Sequence, residues 1–287
     1  MKKIVSLLAV TLVSAPLALT AQTYSFSPGP AAPAAFSEGG GGGAAASPVK
    51  GGSTRPFSGL ALGAGISSLG IDLQAATNLS SHFNLRGTGN FFSYSRDFTS
   101  NGLNANASLN LASAGAAVDI YPFHVGFRLS PGVLIYNQNQ LTATVNVPGG
   151  SSFKLNGNTY YSANTNAATG ASPVTGSGVL GLNTNKAAFT VTTGWGNMIP
   201  RNGHFSVPFE LGVAVIGAPT VNVNLGGWAC TDQAQTQCSN LASGSNPIAT
   251  QIQSNLTSQV AKWTSDLKPL NTFPIISLGV AYSFHLR

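Results

Sequence analysis

The stretch from Phe273 to Arg287 reads FPIISLGVAYSFHLR, and it decides the fold. Ile276, Leu278, Val280, Tyr282 and Phe284 fall on every second position, while the intervening Ser277, Gly279, Ala281 and Ser283 are small. A period of two makes this a strand with one bulky apolar face and one slim face. From Phe57 onward the chain has the same texture. Eight candidate strands lie near 58–67, 69–79, 83–95, 103–121, 126–147, 187–199, 205–225 and 273–284. In the seventh, Phe205, Val207, Phe209, Leu211, Val213 and Val215 alternate with Ser206, Pro208, Glu210, Gly212 and Ala214. Several exceed the roughly 9 to 11 residues that cross a bilayer, so they project beyond it.

Composition points the same way. Only 7% of the 287 residues are charged, against about 25% in soluble domains, so a water-soluble β-sandwich lacks the residues for a wet surface. The body of the chain also lacks the uninterrupted apolar run of about 20 residues that a membrane helix needs. Apolar residues spread over alternate positions suit a transmembrane antiparallel up-and-down β-barrel of eight strands. The net charge of +6 comes from 13 basic and 7 acidic side chains scattered along the chain, which leaves no nucleic-acid footprint.

Met1 to Ala21 has a Lys2-Lys3 start, an apolar core and a small-residue exit, the pattern of a secretory signal peptide cut after Ala21. Gln22 to Pro56, with Gly39 to Gly43 in a row, reads as a disordered Gly/Pro/Ala-rich periplasmic arm. The barrel then occupies 57–287. Connections near Ser80–His82, Pro122–His124 and Pro200–His204 are tight, while those near Ser67, 96–102, 148–186 and 226–272 lie at the other end and include two long ones. Bacterial barrels keep short turns in the periplasm, so the long loops are expected outside the cell.

Within the third loop, Phe153–Leu155 and Thr159–Tyr161 flank Asn156-Gly157, a hairpin signal. It either extends the rim or adds a membrane hairpin, making ten strands. In the fourth, Ile248, Ile252, Leu256, Val260, Trp263 and Leu267 recur at helical spacing after Pro247. That helix packs on a neighbouring surface or serves as a lid or partner site. Cys230 and Cys238 sit in a polar segment without further zinc ligands nearby. A local disulfide is the economical reading in an oxidising compartment, with free thiols the alternative.

If the bulky residues face lipid, the opposite parity carries Asp72, Arg86, Arg128 and Glu210; Asp119 joins them only if the fourth strand contains a bulge, because it shares parity with Leu109 and Leu111. These five are expected to form an ionic network inside the barrel, since an unpaired buried charge is costly. His82, His124 and His204 each follow a tight turn. Turns are spread around a barrel rim, so an interfacial polar role is expected rather than metal ligation. No acid lies beside a histidine, and no cofactor or metal motif is present in the sequence; the reading is non-enzymatic.

Ser277, Gly279, Tyr282 and Phe284 match the polar residue, glycine and two aromatics in the terminal strand of bacterial outer-membrane barrels, although His285, Leu286 and Arg287 follow where that family stops. The chain thus resembles the small outer-membrane β-barrel superfamily of the membrane domains of outer-membrane proteins A, X and W. That resemblance implies insertion by the barrel-assembly machinery, contact with outer-membrane lipid and lipopolysaccharide, and a structural or surface-interaction role toward an extracellular ligand. A narrow channel for small or apolar solutes is the alternative.

Overall fold

The structure is a computed structural model describing residues 55–100, 103–123, 126–182, 187–201 and 203–286. The expected signal peptide, nearly all of the arm, and His124 lie outside these residues. In chain order the strands are β1 (Gly59–Ser67), β2 (Gly70–Asn78), β3 (Phe83–Ser100), β4 (Leu103–Ile120), β5 (Phe127–Asn137), β6 (Gln140–Asn146), β7 (Ser152–Leu155), β8 (Asn158–Ser162), β9 (Thr175–Gly181), β10 (Ala188–Trp195), β11 (Phe205–Ser206), β12 (Phe209–Val215), β13 (Thr220–Gly226), β14 (Trp228–Cys230), β15 (Cys238–Asn240) and β16 (Thr272–His285). Helix α1 (Pro247–Leu267) precedes the last strand.

Eight of these strands close a ring in the order β4-β3-β2-β1-β16-β12-β10-β5, and β5 returns to β4. The first and last barrel strands meet in a continuous antiparallel register from Gly59↔His285 to Ser67↔Ser277. Ring closure removes sheet edges, which inside a bilayer could not find hydrogen-bond partners. The barrel has eight strands, and the alternative of ten is corrected: the Asn156-Gly157 hairpin belongs to a separate four-stranded sheet, β15-β14-β8-β7. Both turn residues have positive φ, +49° and +88°, as a two-residue hairpin loop requires.

Side-chain parity sets the two faces of the barrel. Leu62, Ile66, Ile71, Leu73, Leu85, Val191, Leu211, Ile276 and Leu278 point outward and are exposed. The alternate positions, including Ala61, Asp72, Arg86, Ser130, Thr192 and Ser283, are buried inside. This is inside-out relative to a soluble protein, and it makes the barrel a membrane-spanning one. On β3 the outward apolar residues run from Phe83 to Phe91, about 26 Å along the strand. A tilt of about 40° reduces this to about 20 Å, close to the apolar band of such barrels. Above Phe91 the same face turns polar: Asp97, Asn106, Thr144, Ser177 and Asn224 stand side by side across β3, β4, β6, β9 and β13.

Those five strands form an extension of the barrel wall beyond the band. Its inner face continues the lumen parity but is apolar, and Leu103, Val223 and Leu225 pack there against a second core. That core joins Val147, Leu155, Tyr160, Val174, Ala229, Leu241, Ile252 and Leu256, so α1 and the small sheet form a folded cap. The stripe on α1 therefore buries against the cap. The helix is capped by the Asn246 side chain accepting from the Ile248 amide, with Pro247 at its first position. Asn255 Nδ2 donates to the Tyr160 hydroxyl at 2.7 Å, and Lys262 Nζ to Asn156 Oδ1 at 2.6 Å, tying α1 to the hairpin. Cys230 and Cys238 form a disulfide across β14 and β15.

Candidate functional site: a charged layer inside the barrel

The lumen is built in three layers. At the turn end, Met198 and Ile199 tuck between Ala61, Ala76 and Ala281. At the loop end, Leu69, Leu134, Ala188, Ala214, Ile216 and Ile275 form a second apolar layer. The ionisable side chains lie between them, cut off from water on both sides.

Arg86 on β3 donates from Nε to both oxygens of Asp119 at 3.1 Å and from Nη2 to Oδ1 at 3.0 Å. Its Nη1 pairs with Glu210 Oε2 at 2.8 Å, and Arg128 Nη2 reaches the same oxygen at 2.6 Å. Arg128 Nη1 also donates to the Gly196 carbonyl, and the Ser130 hydroxyl to Asp119. Arg86 and Arg128 are only 2% and 0% exposed. Each therefore depends on these partners, because a buried guanidinium without counter-charge costs several kcal/mol.

The ring order gives these contacts their meaning. β3 and β12 are four strands apart in either direction, so the Arg86–Glu210 pair spans the full diameter. Arg128 and Glu210 lie on β5 and β12 with β10 between them, and the residue paired with both is Gly194. A Cβ at Gly194 would sit 2.2 Å from the Phe209 carbonyl oxygen and 3.2 Å from Glu210 Cα. Glycine there lets the β10 and β12 backbones approach closely between the two charged residues. Alternation analysis treats a glycine as a blank, so it could not identify this residue.

The expected five-residue network divides in two. Asp119, Arg86, Glu210 and Arg128 are one connected chain, whereas Asp72 meets none of the arginines within ion-pair distance and accepts from Gln74 Nε2. The bulge that was to bring Asp119 inward is not on the fourth strand. β4 pairs with β3 without interruption, and the register shift lies against β5, where Ile135 is skipped between Leu134 and Tyr136. Asp119 shares the inner face with Leu109 and Leu111 because that face changes from ionic to apolar as β4 leaves the band.

At the turn end, His204 Nδ1 lies 2.9 Å from the Ser283 carbonyl oxygen and its ring stacks on Tyr282. The His285 ring is 5.6 Å from it, a proximity that the reading of separated turns did not include. Among the described residues no group of three or more His, Cys, Asp or Glu side chains is placed to hold a metal. Phe205, Tyr282 and Phe284 form an edge-to-face run on the outer surface beside these histidines, with Phe127 and Trp195 further round. Such aromatic rings are enriched where a barrel meets the membrane–water boundary. The terminal-strand residues split by face: Ser277 and Gly279 point inward, Tyr282 and Phe284 outward.

No protein-family model matches the chain, and neither does any curated protein. Crystal structures of Acinetobacter baumannii CarO and CarO2 are similar to it. The first is 18% identical over 80% of this chain and 98% of that one, with a TM-score of 0.47. The second is 17% identical over 80% of this chain and all of that one, with a TM-score of 0.49.

Proposed function

We propose that this chain is a non-enzymatic integral protein of the bacterial outer membrane, in which a sealed barrel anchors and displays a folded cap on the cell exterior. One observation carries the reading: the Arg86–Glu210 pair crosses the lumen from β3 to the opposite strand β12, with apolar layers above and below it. An eight-stranded barrel has room for little beyond its own side chains, and here those side chains lock to one another. Placing the cap outside follows from the short turns and both barrel ends lying together at the opposite end.

The assembly role belongs to β16, whose Tyr282 and Phe284 face the bilayer while Ser277 and Gly279 lie on the slim inner face at the seam with β1. Above the band, the polar face of Asp97, Asn106, Thr144, Ser177 and Asn224 suits the polar outer zone of lipid and lipopolysaccharide. The histidine geometry argues against chemistry: His204 is engaged with a backbone carbonyl and an aromatic ring, and the serine hydroxyl 2.9 Å from His82 Nδ1 is that of its own exposed turn neighbour, Ser81.

Recording from single molecules in planar bilayers tests the proposal. The wild-type protein should show no steady conductance, whereas Arg86→Ala with Glu210→Ala, which clears the diameter, should show discrete openings. Steady wild-type conductance would overturn the sealed-anchor reading in favour of a narrow solute passage.

A further inference from the structure

Three carboxylates and two guanidiniums share the lumen, and the guanidiniums are taken. Arg86 and Arg128 are bound to Asp119 and Glu210, which leaves Asp72 with one neutral donor, the Gln74 amide. Asp72 is 4% exposed, and its Oδ1 has no hydrogen-bond partner among the described residues; neither has Gln74 Oε1. An unpaired carboxylate oxygen in such a place carries a large desolvation cost.

A cavity of about 40 Å³ adjoins it, between the ionic layer and the loop-end apolar layer. Ser67, Asp72, Thr88 and Ser277 line it with oxygens, and Arg86 and Glu210 form its floor. A water needs about 10–15 Å³ measured in this way, so the space admits one ion with about two waters and nothing larger.

We propose that this cavity is a binding site for one monovalent cation of sodium size, held by Asp72 Oδ1 with help from the hydroxyls of Ser67, Thr88 and Ser277 that line it. The charge matches, since one +1 ion balances the one unpaired carboxylate and brings the lumen to neutrality. The donor set is oxygen throughout, as a hard cation requires. A divalent ion fits less well. Calcium takes six to eight oxygens, typically from several carboxylates, and magnesium keeps a shell of waters; the cavity offers one free carboxylate and no room for that shell. Arg86 on the floor does not repel the ion strongly, because its charge is spent on Asp119 and Glu210.

The test uses the full-length mature protein refolded in lipid vesicles, with sodium chloride exchanged for N-methylglucamine chloride at constant ionic strength. Sodium should raise the urea midpoint saturably, reaching roughly a 100-fold shift in the folding equilibrium at 100 times its dissociation constant. Asp72→Asn, close in shape and neutral, should abolish that dependence and the broadening of the sodium-23 resonance that the wild type produces. Equal midpoints in the two salts would overturn the proposal. So would an infrared band of a protonated carboxyl in wild-type protein that persists in sodium, since a proton would then occupy the role given to the cation. That infrared reading needs no variant and holds even where Asp72→Asn does not fold. None of these readouts depends on conductance, so the site and the sealed-anchor reading succeed or fail separately.

Discussion

Glu210→Ala is the most informative single substitution in this barrel. Glu210 Oε2 accepts from Arg86 at 2.8 Å and from Arg128 at 2.6 Å, and both arginines are buried. Arg86 would keep its three bonds to Asp119, but Arg128 would keep only neutral partners, the Gly196 carbonyl and the Tyr121 hydroxyl. Removing one partner of a buried pair costs about 3–5 kcal/mol, and the cost here falls mainly on the stranded Arg128. We expect about 4 kcal/mol, read as the shift in urea unfolding in lipid vesicles followed by tryptophan fluorescence. Glu210→Gln keeps a hydrogen-bond acceptor and should lose about 1.5–3 kcal/mol. The double variant Arg128→Met with Glu210→Met removes one charge of each sign and leaves Arg86 on Asp119; it should recover most of the loss, because well-packed apolar replacements of buried pairs are often neutral or stabilising. The reasoning is refuted if Glu210→Ala lies within about 1 kcal/mol of wild type, or if the double variant is as unstable as the single one.

Other consequences are open to measurement. Gly194→Leu drives a side chain into the β12 backbone beside Glu210, and the same unfolding assay should show a loss at or above the about 1–3 kcal/mol of ordinary overpacking, because backbone rather than a flexible side chain must move. Ile252→Ala empties a fully buried position of the cap core and should cost the cap about 2–5 kcal/mol, seen as faster amide exchange in α1 and β14 with the barrel strands unchanged. Asp232 lies outside the membrane, and the Thr236 and Gln237 amides hold its carboxyl below its ordinary pKa of 3.8. A lowered folded-state pKa gives stabilisation that is fully present above 3.8 and lost as pH falls through the depressed value. Amide protection at Thr236 and Gln237 should therefore hold at pH 5 and fade only in stronger acid.

Much of this architecture is written into residue alternation. Strand parity located all eight barrel strands, although 126–147 runs β5 into β6 and 205–225 runs β12 into β13, and it gave the inner faces of all but β4, because within the band each side chain must meet either lipid or lumen. The helix stripe from Ile248 to Leu267 and the Asn156-Gly157 turn were legible for the same local reason. The ring order is the up-and-down order expected, which sets the strands of Arg86 and Glu210 opposite one another; which of the inward charges meet was not legible, because that depends on their height along the axis and on side-chain reach. β9 was missed because it reads TGSGVLG, which looks like a loop. Its glycines have a packing reason, since a Cβ at Gly176 would lie 2.8 Å from Val145 Cγ1 and 3.2 Å from Leu225 Cδ2. The neighbours fill the space that a side chain would take, and periodicity cannot register a strand whose face is supplied by others. Asp72 looked equivalent to the other four charged residues by parity, and only the three-dimensional pairing separates it from them.

The central claim is that the bulky side chains of the barrel meet acyl chains while the ionic layer is sealed inside, and spin labels along β12 test it most directly. Labels placed singly from 209 to 215, in protein whose Cys230–Cys238 bond is kept oxidised, should alternate: those at Phe209, Leu211, Val213 and Val215 collide freely with oxygen dissolved in the bilayer, while those at Glu210, Gly212 and Ala214 meet neither oxygen nor a water-soluble nickel complex. Uniform accessibility, or free access of the nickel complex to the even-numbered positions, would contradict it.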